Sequence, residues 1–318
     1  MQKTAFLFLF CFLTRVALGA APEPPTGLLT NYTKNPLGID TPKPTFSYIV
    51  NDPDRGEVQS AYQIIVSSSR ADCDAGKGDL WDTGKVRSAT QNDILYGGPA
   101  LASRSACWWK VRTWDKDDQA GAWSAPASFE TAFLEKSDWA AQWIGGDYER
   151  YRTLATLPAG KKITQARAYI SAKEMFDLNI NGERIGGDRV LEPGFSRFDV
   201  RMRYCTYDVS SNLRAGSNVI LVALGNGHLQ HFYLKSDARE FLLQIEVRFS
   251  DGSTARILSD SKNWKGTRTG PVVPLPTTKS ELYQGVTYDA RNEDDAANPA
   301  YDDHAWTPIQ TAKPVASG

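Results

Sequence analysis

Phe241-Leu242-Leu243-Gln244-Ile245-Glu246-Val247-Arg248-Phe249 decides the fold class. In an extended chain Phe241, Leu243, Ile245, Val247 and Phe249 fall on one face, and Leu242, Gln244, Glu246 and Arg248 on the other. Successive side chains of a strand point to opposite faces, so this period of two reads as a strand with one buried side. Asp251-Gly252 follows as a turn, and Ala255, Ile257 and Ser259 resume the alternation, which makes the whole a β-hairpin. Phe176, Leu178 and Ile180 alternate with Asp177, Asn179 and Asn181, and Asn181-Gly182 then turns the chain. Asn and Gly both tolerate the positive φ that a two-residue hairpin turn demands. Val219-Ile220-Leu221-Val222-Ala223-Leu224 is a short apolar run of the kind found in fully buried strands. No window beyond about ten residues keeps helical spacing, so the chain is expected to be all-β.

Two domains are expected. Between residues 21 and 134, candidate strands at Thr45–Val50, Ala61–Ser67, Asp93–Tyr96, Trp108–Trp114 and Ser128–Phe133 suit a fibronectin-III- or immunoglobulin-like sandwich. Trp109, Val111 and Thr113 would face one side of it, with Trp108, Lys110, Arg112 and Trp114 on the other. A polar linker is expected at 135–146. Residues 147–311 hold more strands and suit a larger, galactose-binding-like jelly-roll sandwich. Residues 312–318 form a small, polar tail.

The 318 residues carry 36 Lys+Arg against 37 Asp+Glu, a net charge of -1, which argues against a nucleic-acid partner. Residues 1–20 read as a secretory signal: Lys3, an apolar core from Ala5 to Leu13, then small residues at Ala17-Leu18-Gly19-Ala20. The expected location is therefore secreted or periplasmic. The apolar run is too short to span a bilayer, and no later segment is apolar enough. Cys73, Cys107 and Cys205 would remain after cleavage, an odd number, read as buried thiols, with a Cys73–Cys107 disulfide as the alternative. Only three histidines are present, and no nucleophile elbow, zinc-protease, phosphate-loop or dinucleotide motif occurs. Glu293-Asp294-Asp295 reads as a solvated loop.

Several stretches, taken in order, resemble bacterial α-L-rhamnosidases. In the first half these are Asn35-Pro36-Leu37-Gly38-Ile39-Asp40, Leu80-Trp81-Asp82-Thr83-Gly84, Trp109-Lys110-Val111-Arg112 and Trp139-Ala140-Ala141-Gln142-Trp143-Ile144-Gly145. In the second half they are Asn179-Ile180-Asn181-Gly182, Leu191-Glu192-Pro193-Gly194, Gly225-Asn226-Gly227 and Tyr283-Gln284-Gly285. The resemblance implies the non-catalytic N-terminal portion of an exported glycoside hydrolase acting on terminal α-L-rhamnosides of plant or bacterial glycans. It departs from the family at His228-Leu229, where an aromatic pair is usual, and at Val286, where the family has Glu. Catalysis in that family resides in a later (α/α) barrel, which would be a separate or missing partner region. No position here inherits a catalytic role, and this chain is expected to be inactive alone. A stand-alone lectin-like module and an adhesin-like spacer are the alternatives.

Candidate carbohydrate-binding residues are Asp177 and Asn179 on one strand face, and Asn226, His228 and His231 in the loop after a buried strand. Rhamnose-containing glycans are the expected ligand. Outward Asp and Asn oxygens can hold sugar hydroxyls or calcium, and no other cofactor or metal is expected. The plainer reading of each set is an ordinary solvent face or connecting loop.

Overall fold

Alternation of apolar and polar side chains becomes strand almost wherever it occurs in the computed structural model. The structure describes residues 19–173, 175–194, 196, 200–225, 239–273 and 287–311. The expected signal segment, as far as Leu18, and the expected tail 312–318 lie outside the described residues. The chain divides into two units, Met1–Thr131 and Ala132–Gly318.

The strands of the first unit are β1 (Glu23–Thr30), β2 (Leu37–Ile39), β3 (Thr45–Asn51), β4 (Ala61–Ser67), β5 (Trp81–Asp82), β6 (Val86–Arg87), β7 (Ile94–Leu95), β8 (Ala106–Trp114) and β9 (Ala127–Thr131). One sheet runs β1-β3-β7 and the other β2-β9-β8-β4-β5, with β6 also on β4. Phe46 and Tyr48 from one sheet and Ile64, Val66, Trp109, Val111 and Phe129 from the other bury together as the core. The Trp109 indole packs 4.6 Å from the Phe46 ring, and its N–H donates to Thr30 Oγ1 at 3.1 Å. This is the expected immunoglobulin-like sandwich. On the outer face the Arg112 guanidinium sits 4.9 Å from the Trp114 ring and 4.8 Å from Trp123, which accounts for the charged and aromatic alternation of β8. A short helix, α1 (Arg70–Asp74), was not anticipated. The Ser69 hydroxyl caps it by accepting from the Asp72 N–H at 3.0 Å. Cys73, Cys107 and Cys205 are all free thiols.

The second unit contains β10 (Ile144–Gly146), β11 (Arg150–Leu157), β12 (Ile163–Ala172), β13 (Met175–Ile180), β14 (Glu183–Arg184), β15 (Cys205–Asp208), β16 (Gly216–Gly225), β17 (Arg239–Phe249), β18 (Thr254–Leu258), β19 (Lys265–Thr267), β20 (Val272–Val273), β21 (Thr287–Tyr288), β22 (Thr307–Pro308) and β23 (Gln310–Thr311). One sheet runs β15-β12-β17-β10-β23, with β18 on β17, and the other runs β14-β13-β16-β11-β19-β22. The inward residues of the opening stretch, Phe241, Leu243, Ile245, Val247 and Phe249, meet Tyr151, Leu178, Ile180, Ile220, Val222 and Trp264 in one buried core. The jelly-roll expectation is met.

The expected linker, 135–146, is corrected by the structure. Ile144–Gly146 is strand β10, paired with β17 on one side and β23 on the other. The segment before it lies on the outer face of that sheet. The fully buried Gln244 carboxamide accepts from the Ala140 and Ala141 N–H groups at 2.7 and 3.1 Å and donates to Asp138 O at 3.1 Å. Phe133 stacks on Tyr169 with ring centroids 4.1 Å apart, and Trp139 packs edge-on against Phe133 at 4.8 Å. A polar sequence thus behaves as sheet cover, because one buried polar side chain satisfies its backbone.

Candidate functional site

The β13–β14 hairpin carries the first candidates. Asn181 has φ +53° and Gly182 φ +90°, the paired positive values that the Asn-Gly turn was read to require. Phe176, Leu178 and Ile180 point into the core, and Asp177 and Asn179 point out. Both outward residues already have partners. Asn179 Oδ1 accepts from the Gly182 N–H at 2.9 Å and so serves the turn. Asp177 Oδ1 accepts from Arg184 Nε at 2.8 Å, and the same guanidinium donates to Arg189 O at 2.8 Å, bracing the loop after the hairpin. A calcium ion takes six to eight oxygen ligands. Here two short side chains stand beside a guanidinium, which repels a cation, so the pair does not fit calcium. No group of three or more His, Cys, Asp or Glu suited to a metal occurs among the described residues. Asn226, His228 and His231 lie outside the described residues.

Further along the same outer face, register places Ala223 beside Asp177 and Arg150 beyond it, with Leu221 beside Asn179 and Arg152 beyond. The two arginines recruit the segment 290–306 onto the sheet. Arg150 makes a bidentate pair with Asp294 at 2.9 and 2.6 Å. The buried Arg152 donates to Asp303 Oδ2 at 2.5 Å, to Ala296 O at 2.9 Å and to Asn298 O at 3.0 Å, while Lys265 Nζ takes the other Asp303 oxygen at 2.6 Å. Burial would raise both carboxyls, but Arg150 outweighs it at Asp294, and Lys265 with Arg152 outweighs it at Asp303, so each is held below the usual carboxylate range. Within the run Glu293-Asp294-Asp295 all three residues are exposed, as a solvated loop requires, but Asp294 is also tied to the sheet by Arg150.

A cluster that was not singled out as a site stands at Leu191-Glu192-Pro193-Gly194. The Glu192 backbone carbonyl accepts from the Phe176 N–H at the start of β13, at 2.9 Å. Its carboxylate accepts from the Tyr207 hydroxyl, from Arg189 at 3.3 Å and from the Cys205 thiol at 3.6 Å. Burial, reinforced by the Glu192 charge, pushes the Cys205 thiol up to about 11, so at neutral pH it is a protonated donor and not a nucleophile. Burial and the bond to Glu192 likewise push the Tyr207 phenol well above its usual value. The carboxylate is engaged on both oxygens and organises the loops around it. Two of its partners lie more than ten residues away in sequence, which is why local reading missed them.

Two β-sandwiches, one after the other along the chain, define a tandem β-module protein. Residues 25–135 match a family profile described as the Rha78A-like N-terminal immunoglobulin domain, and residues 161–317 match the α-L-rhamnosidase N-terminal domain. The chain belongs to the α-L-rhamnosidase family, within its N-terminal region. It is 36% identical over 306 residues to an α-L-rhamnosidase of Formosa agariphila, covering 89% of this chain and 32% of that protein. The solved α-L-rhamnosidase of Dictyoglumus thermophilum is 37% identical, superposes with a TM-score of 0.82, and is matched over 92% of this chain and 34% of its own. The Streptomyces avermitilis enzyme, solved with L-rhamnose, has the same TM-score at 22% identity, a likeness of fold. The chain spans about a third of the length of three curated α-L-rhamnosidases that it matches.

Proposed function

We propose that these two sandwiches are the non-catalytic N-terminal modules of an exported α-L-rhamnosidase acting on terminal α-L-rhamnosides, and that their contribution is chiefly structural support. The observation that carries this reading is the continuous match to α-L-rhamnosidases across both modules, over nine-tenths of the chain but only a third of the relatives. The acidic side chains described above support it. Asp177, Glu192, Asp294 and Asp303 are each paired with a cation or hydrogen-bonded within their own module, whereas glycoside hydrolysis needs two carboxyls facing each other across a sugar, about 5–9.5 Å apart. The (α/α) barrel of the family would be the partner region, and residues 1–20 the export signal. The test is turnover of an aryl α-L-rhamnoside by the purified chain. Activity at background is expected, and clear turnover abolished by no contaminant control would refute the reading. Mass spectrometry of protein from an exporting host tests the signal, with an N-terminus near Ala21 expected.

A further inference from the structure

Residues of both sheets of the second sandwich, from β10 and β23 on one side and β19 and β22 on the other, line a groove of about 580 Å³. That lies within the roughly 300–1,000 Å³ of ordinary small-molecule sites. Glycines create the room for one aromatic ring. A Cβ on Gly266 would stand 2.8 Å from Tyr148 Cγ and Cδ2, and one on Gly146 would stand 2.9 Å from Tyr148 Cε2. The ring is thus seated against bare backbone on two strands and braced edge-to-face by Tyr151 at 6.1 Å. It is half-buried and lines the groove.

The polar lining is of one kind. The Tyr148 hydroxyl, the Thr307 hydroxyl and the Gln310 carboxamide make no hydrogen bond among the described residues, and each can both donate and accept. The one charged element is internally neutral: Arg268 donates through Nε to Asp147 O at 2.7 Å and through its terminal nitrogen to the Asp147 carboxylate, both side chains being well exposed. A charged ligand would find no net opposite charge. An apolar one would bury these groups without partners. A sugar matches all three features. It offers a C–H face to an aromatic ring, hydroxyls that donate and accept, and vicinal oxygens for the planar guanidinium and carboxylate.

We infer that this groove is a saccharide-binding site for a neutral pyranose, stacked on Tyr148 and hydrogen-bonded by Thr307, Gln310 and the Asp147–Arg268 pair. The ligand class is read from the lining alone, so it goes beyond the functional reading above. Affinity is weak, about millimolar, because each sugar bond replaces one to water.

Saturation-transfer NMR and calorimetry on the whole chain would use four probes: the methyl glycosides of α-L-rhamnopyranose, β-D-galactopyranose, β-D-glucopyranose and α-D-mannopyranose. Two variants spare the fold, since the altered side chains are exposed and make no internal hydrogen bond: Thr307→Val with Gln310→Ala, and Ala305→Trp, which fills the groove. Equal thermal midpoints confirm that they do. At least one probe should bind the unaltered chain, the double variant should weaken it roughly 30-fold through the loss of two net hydrogen bonds, and Ala305→Trp should abolish it. Absence of transfer to all four probes overturns the inference, as does binding that both variants leave unchanged. Turnover of an aryl rhamnoside would refute the functional reading above without touching this result, so the two can fail separately.

Discussion

Gln244→Leu should release the segment that crosses from residue 135 to β10. The side chain is fully buried, and its carboxamide makes three hydrogen bonds to the backbone of residues 138–141, at 2.7, 3.1 and 3.1 Å. Leucine keeps most of the volume but none of these bonds. At about 1 kcal/mol net for each, offset in part by the more favourable burial of leucine, the segment should lose about 2 kcal/mol of local stability. Docking of Trp139 and the Ser259 bonds to Gln142 remain, so the sandwich itself should stay folded. Tryptic cleavage after Lys136 reads the local opening. When reclosing is faster than cleavage, its rate follows the open population, so 2 kcal/mol means roughly 30-fold faster cutting. A change of less than about threefold, with the thermal midpoint unaltered, would show that the aromatic packing holds the segment alone and that the carboxamide is incidental.

Arg152→Met should destabilise the second unit by about 3 kcal/mol in urea unfolding, the lower end for breaking a buried pair, because Asp303 keeps Lys265; a loss below about 1 kcal/mol would refute this. Asp294 and Asp303 titrate below the usual range when folded, so their contribution is complete above the ordinary carboxylate pKa of about 4 and fades as pH falls through the lowered values. Hydrogen exchange at residues 294–303 should therefore accelerate below about pH 4 before the core opens, and an unchanged rate would contradict this. With Cys107 pushed up to about 12 and Cys205 to about 11, both by burial, native protein at pH 7.5 should resist thiol alkylation at these positions and label fully only once unfolded. Asp177→Ala should move stability by less than about 1 kcal/mol, since it removes only a half-exposed ion pair.

The core was legible because strand alternation is a local property. Trp109, Val111 and Thr113 face inward, and Phe176, Leu178 and Ile180 do the same, as their spacing requires. The Asn181-Gly182 turn was equally legible, since its dihedral demand is met by two adjacent residues. What escaped reading depends on partners far away in sequence. Asp177 is an outward carboxylate in any one-strand view, and only the hairpin return brings Arg184 to it. Residues 135–142 carry no apolar alternation, and their order comes from Gln244, about a hundred residues on. Within the exposed acidic run at 293–295, the tie of Asp294 to Arg150 could not be read, because β11 lies 144 residues away in sequence. The groove at Tyr148 needs Gly146 and Gly266 to meet across two strands, and neither glycine signals that by itself. The five-residue helix α1 is too short for periodicity to show.

The pairing of β10 with β23 has a mechanical consequence. Ile144 lies opposite Thr311, so the first strand of the second sandwich begins beside the end of its last described strand, at the same end of an antiparallel pair. Tension applied at Ile144 and Thr311 themselves would peel this two-residue contact open one rung at a time, where a head-to-tail arrangement would shear many rungs together. The module is therefore closed like a loop tied at its neck, with Ile144 and Thr311 held side by side.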